Sequence, residues 1–122
     1  CHAQLAEQGV DAVYIGYNNG MLPEHIPDLL SPLLKNNVPT FTQEGSAAVA
    51  GGVLMSVAHS DLLDEGRFSA AILAEIMNGK KPRSLSQRFE STLSLAVNLR
   101  TAAAIGWNIP LEILAAVDEF YQ

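Results

Sequence analysis

Cysteine is almost absent. The single thiol at Cys1 rules out any internal disulfide and leaves the redox compartment unmarked. Charge is sparse as well: 16% of residues are charged, and 13 acids stand against 7 bases, for a formal net charge of −6. Nucleic-acid binding needs clustered Lys and Arg against phosphates, so an acidic chain with scattered bases excludes nucleic acid as the expected partner. Lys80-Lys81-Pro82-Arg83 is the one basic cluster, and a short run of this kind reads as a solvated loop after a helix. No apolar run reaches the roughly 18 residues of a membrane span. No signal-peptide pattern is visible, and there are no internal repeats or low-complexity tracts. Position 1 is where an acylated lipoprotein cysteine would stand, but residues 1–8 read as a helix end that stops at Gly9.

What is present is a core. Hydrophobic residues make up 48% of the 122, which excludes a disordered chain and suits a single domain over 1–122. Short apolar runs alternate with helical periods. Residues 12–17 read as a buried strand and 18–20 as a turn. Residues 21–36 carry apolar positions at helical spacing, and Pro27 or Pro32 is expected to bend or divide that helix, because proline removes a donor and clashes with the preceding turn. A second strand follows at 38–42, then a turn, with Ser46 expected to cap a short helix over 46–50. Gly51-Gly52 breaks the chain before a third strand at 53–58. Ser60 or Asp61 is expected to cap the next helix, whose apolar face holds Leu62, Leu63, Phe68, Ala71, Ile72, Ile76 and Met77 and which Asn78-Gly79 ends. Residues 84–92 are polar and extended. A fourth strand at 93–98 and two short helices, at about 99–105 and 110–119, close the chain. Strands alternating with helices through brief loops predict an α/β fold on a mostly parallel sheet.

In open sheets of this kind ligands sit beyond the carboxyl ends of the strands. Three segments qualify: Tyr17-Asn18-Asn19, Gln43-Glu44 and His59-Ser60-Asp61. Asn18 and Asn19 offer donors and acceptors, Glu44 can accept from an ammonium group, and Tyr17 can stack or hydrogen-bond. Asn-Asn-Gly and Gln-Glu-Gly are also ordinary turn sequences, and His59 alone equally suits a satisfied, partly buried histidine. Trp107 reads as packing over the helices. No catalytic or metal-binding set can be assembled. Gly51-Gly52 lacks the spacing of a phosphate loop, Gly45-Ser46-Ala47-Ala48-Val49 is not a nucleophile elbow, and His2, His25 and His59 lie far apart without ligand spacing. Cys1 has no base in view. The expectation is a binding protein without cofactors, not an enzyme.

The tail carries the most specific signal. Asn98-Leu99-Arg100-Thr101-Ala102 leads into Gly106, then Ile109-Pro110 and Leu114. The order and spacing resemble the C-terminal end of ABC-transporter solute-binding proteins, in the extracytoplasmic group associated with tryptophan, tyrosine and related solutes. Further segments join the likeness: Asp11-Ala12-Val13-Tyr14-Ile15 through Asn19; Val38-Pro39-Thr40-Phe41 with Glu44 and Gly45; Gly52 through Asp61 and Gly66; and Ala70-Ala71 to Gly79-Lys80-Lys81-Pro82. Together they cover about residues 9–120.

The resemblance implies the C-terminal portion of a two-lobe, type I periplasmic-binding-protein-like fold. It implies a small amino-acid-like or polar organic solute held in an interlobe cleft, a membrane permease as partner, and a bacterial periplasmic or membrane-anchored extracytoplasmic location, as for a lipoprotein. Residues 51–79 would then pack with a missing N-terminal lobe, crossing near His59-Ser60-Asp61. Without that lobe the apolar face of 62–77 would need another partner, so a homodimer is expected. The alternative within the same fold is an extracytoplasmic ligand sensor of a signalling protein. Asn18 stands where the family has an acid before the asparagine, Gly20 replaces a threonine, and Gln43-Glu44 is one residue short of the family's acidic turn. All three departures fall where the solute would touch.

Overall fold

Three short strands and the helices that follow them build the first part of the sheet. The computed structural model describes residues 1–16, 23–59 and 62–122, without the side chains of Pro23, His59 and Leu62. The chain divides into two compact units, Cys1–Ala58 with Ser94–Gln122, and His59–Leu93.

In the first unit, α1 (His2–Glu7) leads to β1 (Val13–Ile15), and a 3-10 turn at Pro23–His25 opens α2 (Ile26–Lys35). β2 (Thr40–Thr42), α3 (Ser46–Ala50) and β3 (Met55–His59) follow. After the second unit come β4 (Leu93–Asn98), α5 (Leu99–Ala104), α6 (Leu111–Leu114) and β5 (Glu119–Tyr121). The strand order is β1-β2-β3-β4-β5. β1 and β2 pair in parallel with Val13 opposite Thr40, β2 and β3 with Phe41 opposite Met55, and β4 and β5 with Val97 opposite Phe120. The amide of Asn98, at the end of β4, donates to the carbonyl of Leu54, just before β3 begins (2.9 Å). Neighbouring strands meeting end to start overlap only in opposite directions, so β4 and β5 run against β1–β3. The α/β architecture on a mostly parallel sheet is as the alternation of apolar runs predicts.

Helix α2 runs unbroken from Ile26 to Lys35, so the prolines do not divide it. Pro27 sits in the first turn, where an amide has no intrahelical partner in any case. Pro32 lies inside, but the carbonyl it leaves unpaired is that of Asp28, an exposed residue, so water can replace the missing donor. Ile26, Leu30 and Leu33 are buried at helical spacing, each worth roughly 1.5–3 kcal/mol over leaving it in water. They join Ala6, Val13, Ile15, Val38, Ala48 and Val53 in the main core. A second cluster of Leu54, Ala102 and Ile105 takes Met55, Trp107 and Ile109 against it, which gives Trp107 the packing role expected of it.

Two terminal details differ from the sequence reading. Ser46 is the first residue of α3 rather than its cap; Gly45, with φ 87°, precedes the helix and no side chain caps it. The final helix is a single turn, and the residues expected to extend it to 119 instead turn through 115–118 into β5, which begins at Glu119. Asp118 explains the difference: its amide donates to the carbonyl of Leu95 (2.9 Å) and its carboxylate accepts from the amide of Leu95 (2.8 Å). Such short helices are costly to nucleate, and the open edge of β4 offers the backbone a better partner. Glu119 then accepts from the hydroxyls of Tyr121 (2.7 Å) and Ser94 (3.4 Å).

In the second unit α4 (Leu62–Met77) is closed by Gly79, with φ 94°, whose amide donates to Ile76 while that of Lys80 donates to Glu75. Phe68 stacks on Phe89, ring centroids 5.5 Å apart. Among its described residues none is buried; Leu63, Leu73 and Met77 are 63%, 57% and 79% exposed. The capping residues expected for this helix, Ser60 and Asp61, lie outside the described residues.

The first unit closes around Asn98, which is 4% exposed. Its amide Nδ2 donates to the carbonyl of Val49 (2.8 Å), and its Oδ1 accepts from the amide of Thr101 (2.9 Å), capping α5. Asn98→Ala removes the cap and one of the two bonds to the Val49 carbonyl, which keeps the amide of Gly52 (3.0 Å), and should cost about 1–3 kcal/mol. Asn98→Asp keeps the cap acceptor but turns a carboxylate oxygen toward Val49, so it should rescue little. Urea denaturation of both variants checks this; full recovery in Asn98→Asp would assign the stability to the cap alone.

Candidate ligand site at the strand ends

Because β1, β2 and β3 run in parallel, their carboxyl ends share one end of the sheet. Ile15, Thr42 and Ser56 form one row across it, and the segments beyond that row begin at Gly16, Gln43 and Val57. This is the end where the sequence places its candidate contacts. Tyr17, Asn18 and Asn19 lie outside the described residues. His59 ends β3, and its side chain is likewise outside what is described. Gln43 and Glu44 are described, and both are exposed.

Buried hydroxyls fix the turn that carries Gln43 and Glu44. Thr42 is fully buried; its hydroxyl donates to the carbonyl of Ile15 (2.8 Å) and accepts from the amide of Glu44 (3.2 Å). Ser56, also buried, accepts from the amide of Gly45 (3.1 Å). Gly45 carries the positive φ that lets the chain leave β2 and enter α3 without strain. At the opposite end of the same strands Thr40 accepts from the amide of Leu54 (3.0 Å). The result is a rigid turn presenting an amide and a carboxylate to solvent. Among the described residues neither side chain has a hydrogen-bond partner, so their donors and acceptors are open to a ligand.

Thr42 and Ser56 were not among the residues singled out from the sequence. The signal was there: in Thr40-Phe41-Thr42 both hydroxyls fall on one face of the strand. Buried hydroxyls must find partners, which makes such a pair a predictor of side-chain to backbone bonds. Phe41 faces the other way and meets Tyr14, ring centroids 5.8 Å apart. Among the described residues no three His, Cys, Asp or Glu side chains gather as metal ligands, and no helix is long and apolar enough to cross a membrane.

No protein-family model and no curated protein sequence matches the chain. Solved structures do. A conserved domain protein from Vibrio cholerae O1 biovar El Tor superimposes with a TM-score of 0.75 at 24% identity, over 98% of this chain and 39% of that one. An ABC domain from Streptococcus pneumoniae in complex with L-Trp gives 0.72 at 23% identity, over 98% and 40%. A substrate-binding protein with adhesive properties from Clostridium difficile, in its ligand-free, open form, gives 0.71 at 17% identity, again over 98% and 40%. The chain shares their fold and spans about two fifths of the length of each.

Replacing the hydroxyl that anchors the turn tests the geometry. Thr42→Val, close to isosteric, should destabilise by about 1–3 kcal/mol, since it leaves buried backbone groups unpaired. Amide exchange at Glu44 should rise more than at Leu33, which lies in the core; a uniform rise would show that Thr42 supports the whole unit rather than the turn.

Proposed function

We propose that this chain is part of an extracytoplasmic solute-binding component of an ABC importer, forming one side of a cleft for a small amino-acid-like or polar organic solute. The observation that carries this reading is the shared fold over 98% of the chain with an L-Trp complex and with a substrate-binding protein. The pinned turn at the carboxyl ends of the strands adds to it, since that is where such sheets receive ligands. The action is binding rather than turnover. A solute touching both lobes stabilises the closed form, which docks on a membrane permease at the outer face of a bacterial membrane. Tyr17, Asn18, Asn19, Gln43, Glu44 and His59 supply hydrogen bonds and charge pairing, with Glu44 taking the solute's ammonium group.

A thermal-shift screen tests this, with amino acids, small carboxylates and purines offered to a protein that carries this chain together with its N-terminal lobe. A ligand that binds only the native state raises the melting temperature by mass action. An ammonium-bearing hit should weaken roughly tenfold in Glu44→Gln, which exchanges a charge-assisted bond for a neutral one, and should be lost in Asn19→Ala. A hit indifferent to both changes would remove these residues from the cleft.

The same reading implies a partner for α4. In a longer protein its apolar face packs on the missing lobe, and on its own the 122-residue chain should pair with a second copy through Leu63, Leu73 and Met77. Sedimentation at micromolar concentration should show a dimer that Leu73→Glu with Met77→Lys returns to monomer. A monomer at the outset would count against it.

A further inference from the structure

A groove of about 440 Å³ opens in the first unit, at the end of the sheet opposite the candidate ligand turn. It gathers α2, the 50–52 loop that leads into β3, and the start of α5. Its volume falls in the range of small-molecule sites. One wall is apolar: Pro27, Leu30 and Leu34 of α2. The floor is bare. A Cβ at Gly51 would come within 3.1 Å of the Ile26 side chain, and one at Gly52, where φ is 115°, within 3.3 Å of Leu30. The loop therefore lies close on α2 at Gly51 and Gly52, and the only side chain it brings to the groove is the methyl of Ala50.

The charge is one-sided. Two of the chain's seven bases, Lys35 and Arg100, line the groove and no acid does, on a protein of net charge −6. Both cations are exposed, and among the described residues neither has an ion-pair partner; the pairs present are Arg67 with Asp64 and Lys80 with Glu75. Ser31 also lines the groove, and among the described residues its hydroxyl makes no hydrogen bond. By contrast, Asn98 and Thr101 spend their polar groups on the fold, the latter through a bond to the carbonyl of Gly52 (2.8 Å). The polar groups left open at this site are thus two cations and a hydroxyl donor, next to an apolar wall.

We propose that this groove binds a small organic anion with a ring-sized apolar body. Its carboxylate or phosphate is held between Lys35 and Arg100, and its apolar part lies against Pro27 and Leu34. This site is separate from the solute cleft, and its test does not depend on that reading.

The test is a titration of the isotopically labelled 122-residue chain, followed by amide NMR, with benzoate, phenyl phosphate and the neutral benzamide. Both anions should shift the amides of Ser31, Lys35, Gly51, Gly52 and Arg100 saturably, and benzamide should do so at least several-fold more weakly. Tighter benzoate assigns a carboxylate head group, and tighter phenyl phosphate a phosphate. Lys35→Ala with Arg100→Ala, two exposed sites whose unchanged spectrum elsewhere reports an intact fold, should weaken the anions about tenfold. The proposal is overturned by equal affinity for benzamide, by shifts that map elsewhere, by no saturable shift in the millimolar range, or by undiminished anion binding in the double variant.

Discussion

The buried side chain of Asn98 is the joint on which the first unit depends. From one position it takes up the carbonyl of Val49 in α3 and the amide of Thr101 in the first turn of α5, while its backbone reaches the carbonyl of Leu54. Thr101 extends the same joint to the carbonyl of Gly52. These bonds lie in or at the edge of a low-dielectric interior, where a bond is strong and its loss expensive. The joint also sets direction: by holding the end of β4 at the beginning of β3 it makes the chain return antiparallel, and it leaves α5 to complete the second apolar cluster with Leu54 and Ile105.

A second set of buried polar atoms does comparable work along the parallel strands. Thr40, Thr42 and Ser56 lie between strands at no more than 1% exposure, and each bonds to backbone of a neighbouring segment. Valine would fill the two threonine positions as well by volume, and alanine nearly so the serine. The hydroxyl adds a fixed geometry for the turn after β2, so the exposed amide and carboxylate beyond it project from a defined frame. Rigidity beneath and openness above is the arrangement a recognition surface requires.

Much of this was legible in the amino-acid order. Strands β1 to β4 stand out as short apolar runs, and the C-terminal end of α4 follows from Asn78-Gly79. The parts that were not legible share a cause: they are settled by partners distant in sequence. Pro32 looks like a break until the carbonyl it strands is found on an exposed residue, Asp28, where water can reach it. Residues up to 119 read as helix, and the bonds between Asp118 and Leu95 bring the chain into β5 instead. Of the candidate ligand residues, Gln43 and Glu44 stand at the expected end of the sheet, on a turn whose support came from hydroxyls that had looked like ordinary strand residues.

The opposed direction of β4 has a consequence for how the first unit divides its tasks. The stretch from Asn98 to Thr101 sits at the foot of the first unit, at the opposite end of the sheet from the turn that presents Gln43 and Glu44. Holding together and facing solvent are thereby assigned to different ends of one sheet. A change at the crown can alter what the surface offers without touching the way the unit stands up.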